Sequence, residues 1–164
     1  MQRLVYNIDI YMEYVRYYTG TWTSWERIQT TEKAIVKHDT NISIANTSYN
    51  VLPFSSIAMN TSAFELTETG GIKCNKAGNY FVNANLCIGG STLVQNDRLI
   101  LAIAKNDTND FNIQQDANGT QQLLSLNGYL IHLSKNDILT LKYRNLTGAR
   151  GTVVSSQCYM SISS

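Results

Sequence analysis

The chain has 164 residues, of which 43% are hydrophobic and 15% are charged, which suits one globular domain with a short extension. Its formal net charge is +1 and it has no basic cluster, so nucleic acid is not an expected partner. Pro53 is the only proline, which excludes a collagen-like stalk within the chain.

The N-terminal segment does not have the pattern of a signal peptide, because Arg3, Asp9, Glu13 and Arg16 interrupt its apolar residues. No stretch of the sequence approaches the ~20 apolar residues that span a bilayer, so no membrane insertion is expected. We therefore expect a protein that is made and kept in a cytoplasm, or one that leaves it by a route other than secretion.

Two aromatic segments near the N-terminus predict a β-hairpin. Residues 11–18 and 22–29 are rich in aromatic and β-branched residues and flank a turn that contains Gly20. The ambiguous segment that follows leads into the rest of the chain. We predict two parts, an N-terminal aromatic hairpin or attachment segment at residues 1–40 and a head domain at residues 41–164.

The head domain reads as a series of short strands separated by turns. In chain order the predicted strands occupy residues 48–59, 63–74, 77–88, 98–105, 121–133, 137–143 and 151–162. Residues 106–120 predict a polar loop with at most a short strand inside it. Because no segment has the pattern of an amphipathic helix, the predicted fold class is all-β, an antiparallel sandwich or barrel.

The strand at residues 77–88 has two sides of different character. One side has the residues of an ordinary core: Tyr80, Val82, Ala84, Leu86 and Ile88. The other side has Phe81, Asn83, Asn85 and Cys87. This second side is too polar for a core and too regular for a loop, so it predicts a surface that another chain or element covers.

Three segments carry a resemblance to a known superfamily. The segment "KAGNYFVNANL", residues 76–86, resembles the Gly-x-Tyr-x-aliphatic strand of the tumour necrosis factor and complement globular-head superfamily. The segment "LSLNGYLIHLSKNDILTLKY", residues 124–143, resembles two later strands and their turn, with Asn136-Asp137 where the superfamily usually has Gly-Asp. The segment "CYMSIS", residues 158–163, is similar to the closing strand. The resemblance covers roughly residues 42–164.

This resemblance implies a ten-strand antiparallel jelly-roll sandwich that assembles as a homotrimer. The alternation in residues 80–88 then places Phe81 and Asn83 at the threefold axis. The superfamily pattern also places Leu124 and Leu126 near that axis, together with Tyr159. It further places Leu139, Leu141 and Tyr143 in the core of the chain. The alternative for Phe81 is an exposed aromatic or a contact between the two sheets.

The N-terminal segment adds a second resemblance. The segment "YYTGTWTSWERI", residues 17–28, looks like an aromatic hairpin of bacteriophage tail-fibre proteins, and residues 64–86 look like their jelly-roll tip modules. This implies a virion protein that is made in the host cytoplasm and binds other virion proteins through residues 1–40. Trp22 and Trp25 are expected to pack against neighbouring protomers or the fibre shaft, with stacking on sugars as the alternative.

The expected function is that of a phage tail or head fibre whose trimeric tip binds a host cell-surface receptor, a glycan or a protein. Two alternatives remain open at this point. One is a purely structural decoration protein of the virion. The other is a bacterial or secreted cell-surface trimer of the same superfamily.

Enzymatic motifs are missing from the sequence. It has no Gly-x-Ser-x-Gly, no phosphate-binding loop and no HExxH. His38 lies in a polar stretch and is expected in solvent, whereas His132 lies in a strand pattern and is expected to be buried or at the axis. Glu65 and Glu68 are expected at the surface, so no carboxylate pair suits glycoside hydrolysis. We therefore predict no enzymatic activity and no catalytic residue.

The predicted polar loop at residues 106–120 is the candidate for ligand contact, since such loops carry the specificity of sandwich folds. Its candidate residues are Asp107, Asn109, Asp110, Asp116 and Asn118, with the loop at Gly89-Gly90-Ser91 beside them. The alternative is a plain solvated loop. No cofactor is expected and no metal site is assigned, although the oxygen-rich side chains leave calcium open.

The three cysteines, Cys74, Cys87 and Cys158, have neither CxxC spacing nor an even count. We expect three small buried side chains. A bridge between Cys74 and Cys87 is the alternative.

Overall fold

The structure is a computed structural model. It describes the backbone of residues 2–8, 10–16, 20–22, 26–29 and 32–164, and the side chains of residues 20–22, 32–58 and 60–164. The chain divides into two compact units, Met1–Thr31 and Glu32–Ser164. Within the described residues, no helix has the length and apolar character that crossing a membrane requires.

The smaller unit is a three-stranded antiparallel sheet. Its strands are β1 (Gln2–Ile8), β2 (Ile10–Arg16) and β3 (Glu26–Gln29), in the order β1-β2-β3. The pairing of β2 with β3 is that of the predicted hairpin, and β1 adds a third strand to it. Trp22 is exposed, and Trp25 lies outside the described residues.

The larger unit is all-β, as predicted. Its strands are β4 (Lys33–Lys37), β5 (Ile42–Ser43), β6 (Asn50–Leu52), β7 (Ser56–Asn60), β8 (Phe64–Leu66), β9 (Ile72–Cys74), β10 (Gly78–Gly89), β11 (Arg98–Lys105), β12 (Thr108–Asp116), β13 (Gln121–Leu133), β14 (Ile138–Asn145), β15 (Thr152–Val153) and β16 (Tyr159–Ser163). A single turn of 3-10 helix, Ser155–Gln157, precedes β16. Because β4 pairs with β7 and β16, residues 33–40 belong to this unit, and the expected boundary after residue 40 is too late.

The strands of the larger unit form two antiparallel sheets. The first, here called the β10 sheet, has the order β5-β15-β10-β16-β4-β7, and β13 also pairs with β10. The second, here called the β14 sheet, has the order β12-β11-β14-β9-β8, and β6 also pairs with β14. Two sheets of this kind, with their apolar sides against each other, make the predicted jelly-roll sandwich.

The core lies between the two sheets and follows the alternation of the strands. On β10 the inward side chains are the five predicted ones, Tyr80, Val82, Ala84, Leu86 and Ile88, all of them buried. On β14 the inward side chains are Leu139, Leu141 and Tyr143, again as predicted. Every residue of β11 between Leu99 and Ala104 is buried, as expected for a run of apolar residues covered on both faces.

Residues 106–120 differ from the prediction, because most of the expected loop is strand β12. The turn from β11 into β12 is formed by Asn106 and Asp107, whose φ values of 50° and 67° are the left-handed conformations that a tight hairpin turn needs. Asn and Asp tolerate this conformation better than most residues. Pairing with the apolar strand β11 therefore outweighs the low strand propensity of the polar side chains of β12.

Strand β13 contains a β-bulge that reverses its phase. Val82 pairs with Tyr129 and Ala84 pairs with Leu126, so two residues of β13, Asn127 and Gly128, lie opposite one residue of β10. Gly128 has a φ of 69°, which a glycine adopts without strain. As a result, even-numbered side chains point inward before the bulge and odd-numbered ones point inward after it.

An ion pair with a buried carboxylate joins two loops at one end of the sandwich. The carboxylate of Asp97, which has no exposed surface, receives hydrogen bonds from Arg150 Nη2 at 2.6 Å and Arg150 Nε at 3.3 Å. The backbone N–H of Val94 also donates to it, at 3.1 Å. The loop before β11 and the loop after β14 are therefore held together by a buried carboxylate and a guanidinium side chain that is 39% exposed.

Gly70 occupies a position that a side chain cannot enter. Its φ is +80°, and an added Cβ would lie 2.5 Å from Phe54 N and from Pro53 Cα. We expect Gly70→Ala to lower the free energy of unfolding by about 2 kcal/mol, because backbone strain and overlap add together. Gly119→Ala is the control, since its φ is also positive but an added Cβ meets nothing within 4 Å. Urea unfolding of both variants checks this, and equal losses would contradict it.

Candidate functional site

The outward side of β10 carries exposed apolar side chains. Phe81 is 49% exposed and pairs with Leu130 of β13, which is 55% exposed. Residues that lie opposite each other in an antiparallel pair project to the same side, so these two side chains are neighbours. Leu123, 44% exposed, lies farther along β13 opposite Cys87. We call this surface, formed by Phe81, Leu123 and Leu130, the Phe81 face.

The amide side chains between these apolar residues are satisfied within the chain. Asn83 Oδ1 accepts a hydrogen bond from the Gly128 backbone N–H at 2.8 Å. Asn85 Nδ2 donates to the hydroxyl oxygen of Tyr159 at 2.9 Å. These bonds explain how a regular strand can carry amides on a side that is not core, because the neighbouring strands supply their partners.

Two of the residues assigned to the threefold axis lie elsewhere. Leu124 and Leu126 are 0% and 3% exposed and belong to the core cluster of the single chain. Their assignment to the axis is wrong, because the phase of β13 before the bulge turns them inward. Phe81 and Asn83 do lie on the outward side, and their place at an interface stays a prediction.

Tyr159 lies on the same outward side as Phe81 but at a distance from it. It pairs with Asn85, whereas Phe81 pairs with Ser163 at the other end of β16. Four residues of strand separate these ends, roughly 13 Å. The ring of Tyr159 is half-buried, and its assignment to the interface also stays a prediction.

The predicted ligand residues do not form one cluster. Asp107, Asn109 and Asp110 lie at the start of β12, whereas Asp116 ends the strand and Asn118 follows it. A nine-residue strand is about 30 Å long, so the two groups cannot contact one small ligand together. The loop at 89–91 lies beside the second group, since Gly90 N donates to Thr120 O at 3.0 Å.

Asp110 has a partner within the chain. Its Oδ2 accepts a hydrogen bond from the Tyr129 hydroxyl at 2.7 Å, and this bond, with burial, raises the pKa of Tyr129 to about 12. The ring of Tyr129 stacks on Phe111 of β12 with 4.6 Å between centroids. The terminal strands of the two sheets, β12 and β13, are thus joined along one edge of the sandwich by an aromatic pair, of which Phe111 is exposed and Tyr129 is half-buried.

The carboxylates that left calcium open are spread along β12. Among the described residues, no three His, Cys, Asp or Glu side chains lie close enough together to hold an ion.

His38 is placed differently from the prediction, because it is buried rather than in solvent and its Nδ1 lies 2.6 Å from the carbonyl oxygen of Pro53. His132 is exposed in the single chain, and its Nδ1 lies 2.9 Å from Asn79 Oδ1. This contradicts the buried alternative for His132, and its place at the axis stays a prediction. The absence of enzymatic activity stays a prediction.

The three cysteines are free and buried, as expected, and no bridge joins Cys74 to Cys87. Burial raises the pKa of Cys158 to about 11 and also raises the pKa of Cys74. Both are therefore thiols at neutral pH and of low reactivity.

A polar cleft of about 330 Å³ lies where β4 and β16 separate. It is lined by residues 37–39 and by residues of the segment 155–159. Lys37 pairs with Tyr159 at one end of the cleft. At the other end, the backbone N–H of Ser155 donates to Asn41 Oδ1 at 2.9 Å. None of these residues except Tyr159 was assigned a role from the sequence, because they are scattered single polar residues in two separate segments.

Comparison with known proteins defines the class of fold. No protein-family model matches the chain, and no curated protein matches it by sequence. Solved structures do match, and they place the fold among the tumour-necrosis-factor-like jelly rolls.

Two of these structures illustrate the likeness. The crystal structure of murine APRIL at pH 8.5 has a TM-score of 0.60 and 10% identity, with 82% of this chain and 98% of that chain covered. The structure of Eiger TNF from S. frugiperda has a TM-score of 0.61 and 12% identity, with 82% of this chain and 92% of that chain covered. At this identity the likeness concerns the fold alone.

Proposed function

We propose that this chain is the attachment head of a bacteriophage fibre, a homotrimer whose jelly-roll tip binds a glycan receptor on the host surface. The observation that carries the proposal is the exposed apolar pair of Phe81 and Leu130. Two large exposed apolar side chains side by side on one sheet mark a surface for protein contact. A second copy of the same chain is the simplest partner.

The arrangement of exposed apolar groups favours a ring over a twofold dimer. One set, the Phe81 face, lies on a sheet surface. Another, the exposed ring of Phe111 stacked on the half-buried ring of Tyr129, lies on the edge formed by β12 and β13. When the edge of one chain packs on the face of the next, the contact is heterologous, and such a contact forms a ring when its rotation closes after three copies. A stable contact of this kind buries at least ~1,000 Å².

The phage assignment is supported by the N-terminal unit. Its strands form a separate compact unit before the head, which is the order expected for an attachment segment followed by a tip. The segment with the fibre-like aromatic pattern, residues 17–28, lies in this unit. Attachment through three weak copies of one site gains from avidity, by about 100-fold or more over a single copy.

Binding of the fluorescently labelled full chain to a panel of bacterial cells tests this function. We expect the protein to bind at least one host in the panel. Periodate treatment of that host, which oxidises sugar diols, should abolish binding, and protease treatment should not. A monomeric variant should bind at least about 100-fold more weakly, since avidity is lost.

Two results would contradict the proposal in different ways. A trimer that binds no cell in the panel contradicts the attachment function and favours a decoration protein. Binding that survives periodate but not protease replaces the glycan with a protein receptor.

A further inference from the structure

We propose that the polar cleft between β4 and β16 is a binding site for one uncharged sugar ring, such as the terminal residue of a glycan. The inference rests on the proposed attachment function for the kind of receptor, but it assigns the contact to a surface different from the strand β12 that the sequence suggested. The site follows from the shape of the cleft, its hydrogen-bonding groups and its charge.

The cleft is a built feature of the fold. The pairing of Lys37 with Tyr159 ends with a backbone hydrogen bond from His38 N to Cys158 O at 3.3 Å, and the bond from Ser155 N to Asn41 Oδ1 joins the two segments again farther on. The wall at His38 is fixed, because its Nδ1–H donates to the Pro53 carbonyl, which can only accept. In the neutral imidazole Nε2 is then an acceptor, and the Thr40 hydroxyl donates to it at 3.3 Å. The cavity therefore exists before any ligand enters.

The groups that line the cleft can donate to and accept from hydroxyls. The hydroxyls of Ser155 and Ser156 have no partner within the described residues, so both can bond a ligand. The Tyr159 oxygen accepts from Asn85, which leaves its own hydrogen for donation. Asp39 accepts from Ser55 Oγ at 2.9 Å through Oδ2, and its side chain is exposed, so the remaining lone pairs of the carboxylate can accept from a ligand hydroxyl.

The charges that line the cleft and its volume restrict the class of ligand that it can bind. Hydrogen bonds from Ser56 and Ser55 hold the pKa of Asp39 below its usual value, so its carboxylate is ionised at neutral pH. With Lys37 on the same cleft, the lining has one charge of each sign and favours an uncharged ligand over an anion. A volume of about 330 Å³ is at the lower end for small-molecule sites and suits a single ring. The half-buried ring of Tyr159 offers a flat apolar surface to the C–H groups of a sugar ring.

The cleft can stay open in the proposed trimer. It lies at the Tyr159 end of β16, whereas Phe81 pairs with Ser163 at the opposite end. A sister chain seated on Phe81 and Leu130, the end of the Phe81 face away from Tyr159, therefore need not cover it.

The experiment is a titration of the isotope-labelled full chain with the methyl glycosides of glucose, galactose, mannose and N-acetylglucosamine, followed by backbone amide shifts. We expect at least one glycoside to shift amides within residues 37–41 and 155–159, with a Kd of about 1 mM. Asp39→Asn should weaken that binding by about tenfold, because an ionised acceptor is lost. Glu68→Gln, which changes an exposed carboxylate in the turn after β8, is the matched control and should leave binding unchanged.

Three results would overturn the cleft assignment: no shift in the cleft amides with any of the four glycosides, shifts that map to β12 instead, or equal weakening in the two variants. The molar mass of the protein and its binding to cells, measured on the same preparation, distinguish a failure of the cleft assignment from a failure of the proposed attachment function. A trimer that binds cells while the cleft amides stay unchanged overturns the cleft alone. Sugar binding in the cleft by a protein that binds no cells supports the cleft and contradicts the attachment function.

Discussion

Phe81→Glu is expected to convert a trimer into single chains of 18.4 kDa. In the wild type the apolar ring would be covered by a sister chain, and in the variant each contact would have to bury a carboxylate without a partner. That costs about 3 kcal/mol or more per contact, which weakens association by about 100-fold or more. Light scattering coupled to gel filtration at micromolar concentration should give three times the chain mass for the wild type and the chain mass for the variant.

Leu130→Glu, on the neighbouring strand, should give the same result, because its side chain pairs with Phe81. Val51→Glu is the matched control. Val51 is also an exposed apolar residue on a strand, 40% accessible, but it lies on β6, which pairs into the β14 sheet. A wild-type protein that is a monomer contradicts the trimer outright. A trimer that survives both Phe81→Glu and Leu130→Glu places the contact on another surface.

Arg150→Ala is expected to lower the free energy of unfolding by about 3 kcal/mol at neutral pH, because the buried carboxylate of Asp97 loses its counter-charge. Urea unfolding at one fixed protein concentration measures this loss, since the stability of an oligomer depends on concentration. Lys73→Ala is the control. It removes an exposed pair, in which Lys73 Nζ lies 3.4 Å from Glu65 Oε2, and should change stability by about 0.5 kcal/mol or less.

The pair of Asp97 and Arg150 also predicts how the free energy of unfolding depends on pH. Burial, the largest influence, raises the pKa of Asp97, but hydrogen bonds from Arg150, the Val94 N–H and Asn145 outweigh it, so the pKa lies below its ordinary value of 3.8. A carboxyl group with a lowered folded-state pKa stabilises the fold above its unfolded pKa and loses this contribution as the pH falls through the folded value.

The stability difference between wild type and Arg150→Ala should therefore be full at neutral pH and shrink as the pH falls, first through the folded-state pKa of Asp97 in the variant and then through its lower pKa in the wild type. In the variant, Asp97 stays buried but loses the hydrogen bonds from Arg150, so its pKa should rise above the wild-type value. Urea unfolding at several pH values measures this. A difference that stays constant down to pH 2 would mean that the loss comes from packing of the Arg150 side chain rather than from its charge.

The parts of the fold that could be predicted are those in which one side of a strand faces the core. In β10 the inward residues from Tyr80 to Ile88 are all apolar and every second one, so alternation alone assigns their burial. In β11 the run from Leu99 to Ala104 is apolar throughout, which is typical of a strand covered on both faces. Burial leaves a local pattern in both cases.

The missed features depend on neighbours far away in the chain. Strand β12 exists because it pairs with β11, and its own polar residues predict a loop. His38 is buried because the Pro53 carbonyl lies beside it after the chain has folded back. Leu124 and Leu126 were misplaced because the phase of β13 changes at a bulge that is hard to recognise in a single sequence. The cleft combines residues more than a hundred positions apart and has no local pattern at all.

The β-bulge in β13 has an evolutionary consequence. Its extra residue is accommodated by one amide on the neighbouring strand, since Asn83 Oδ1 accepts the N–H of Gly128. Deleting one bulge residue alone would rotate the first half of β13 by half a pleat, turning Leu124 and Leu126 to the outside and Leu123 and Ser125 to the inside. In a lineage of such proteins, the insertion at 127–128 and the amide at position 83 should therefore be inherited as a linked pair, appearing and disappearing together.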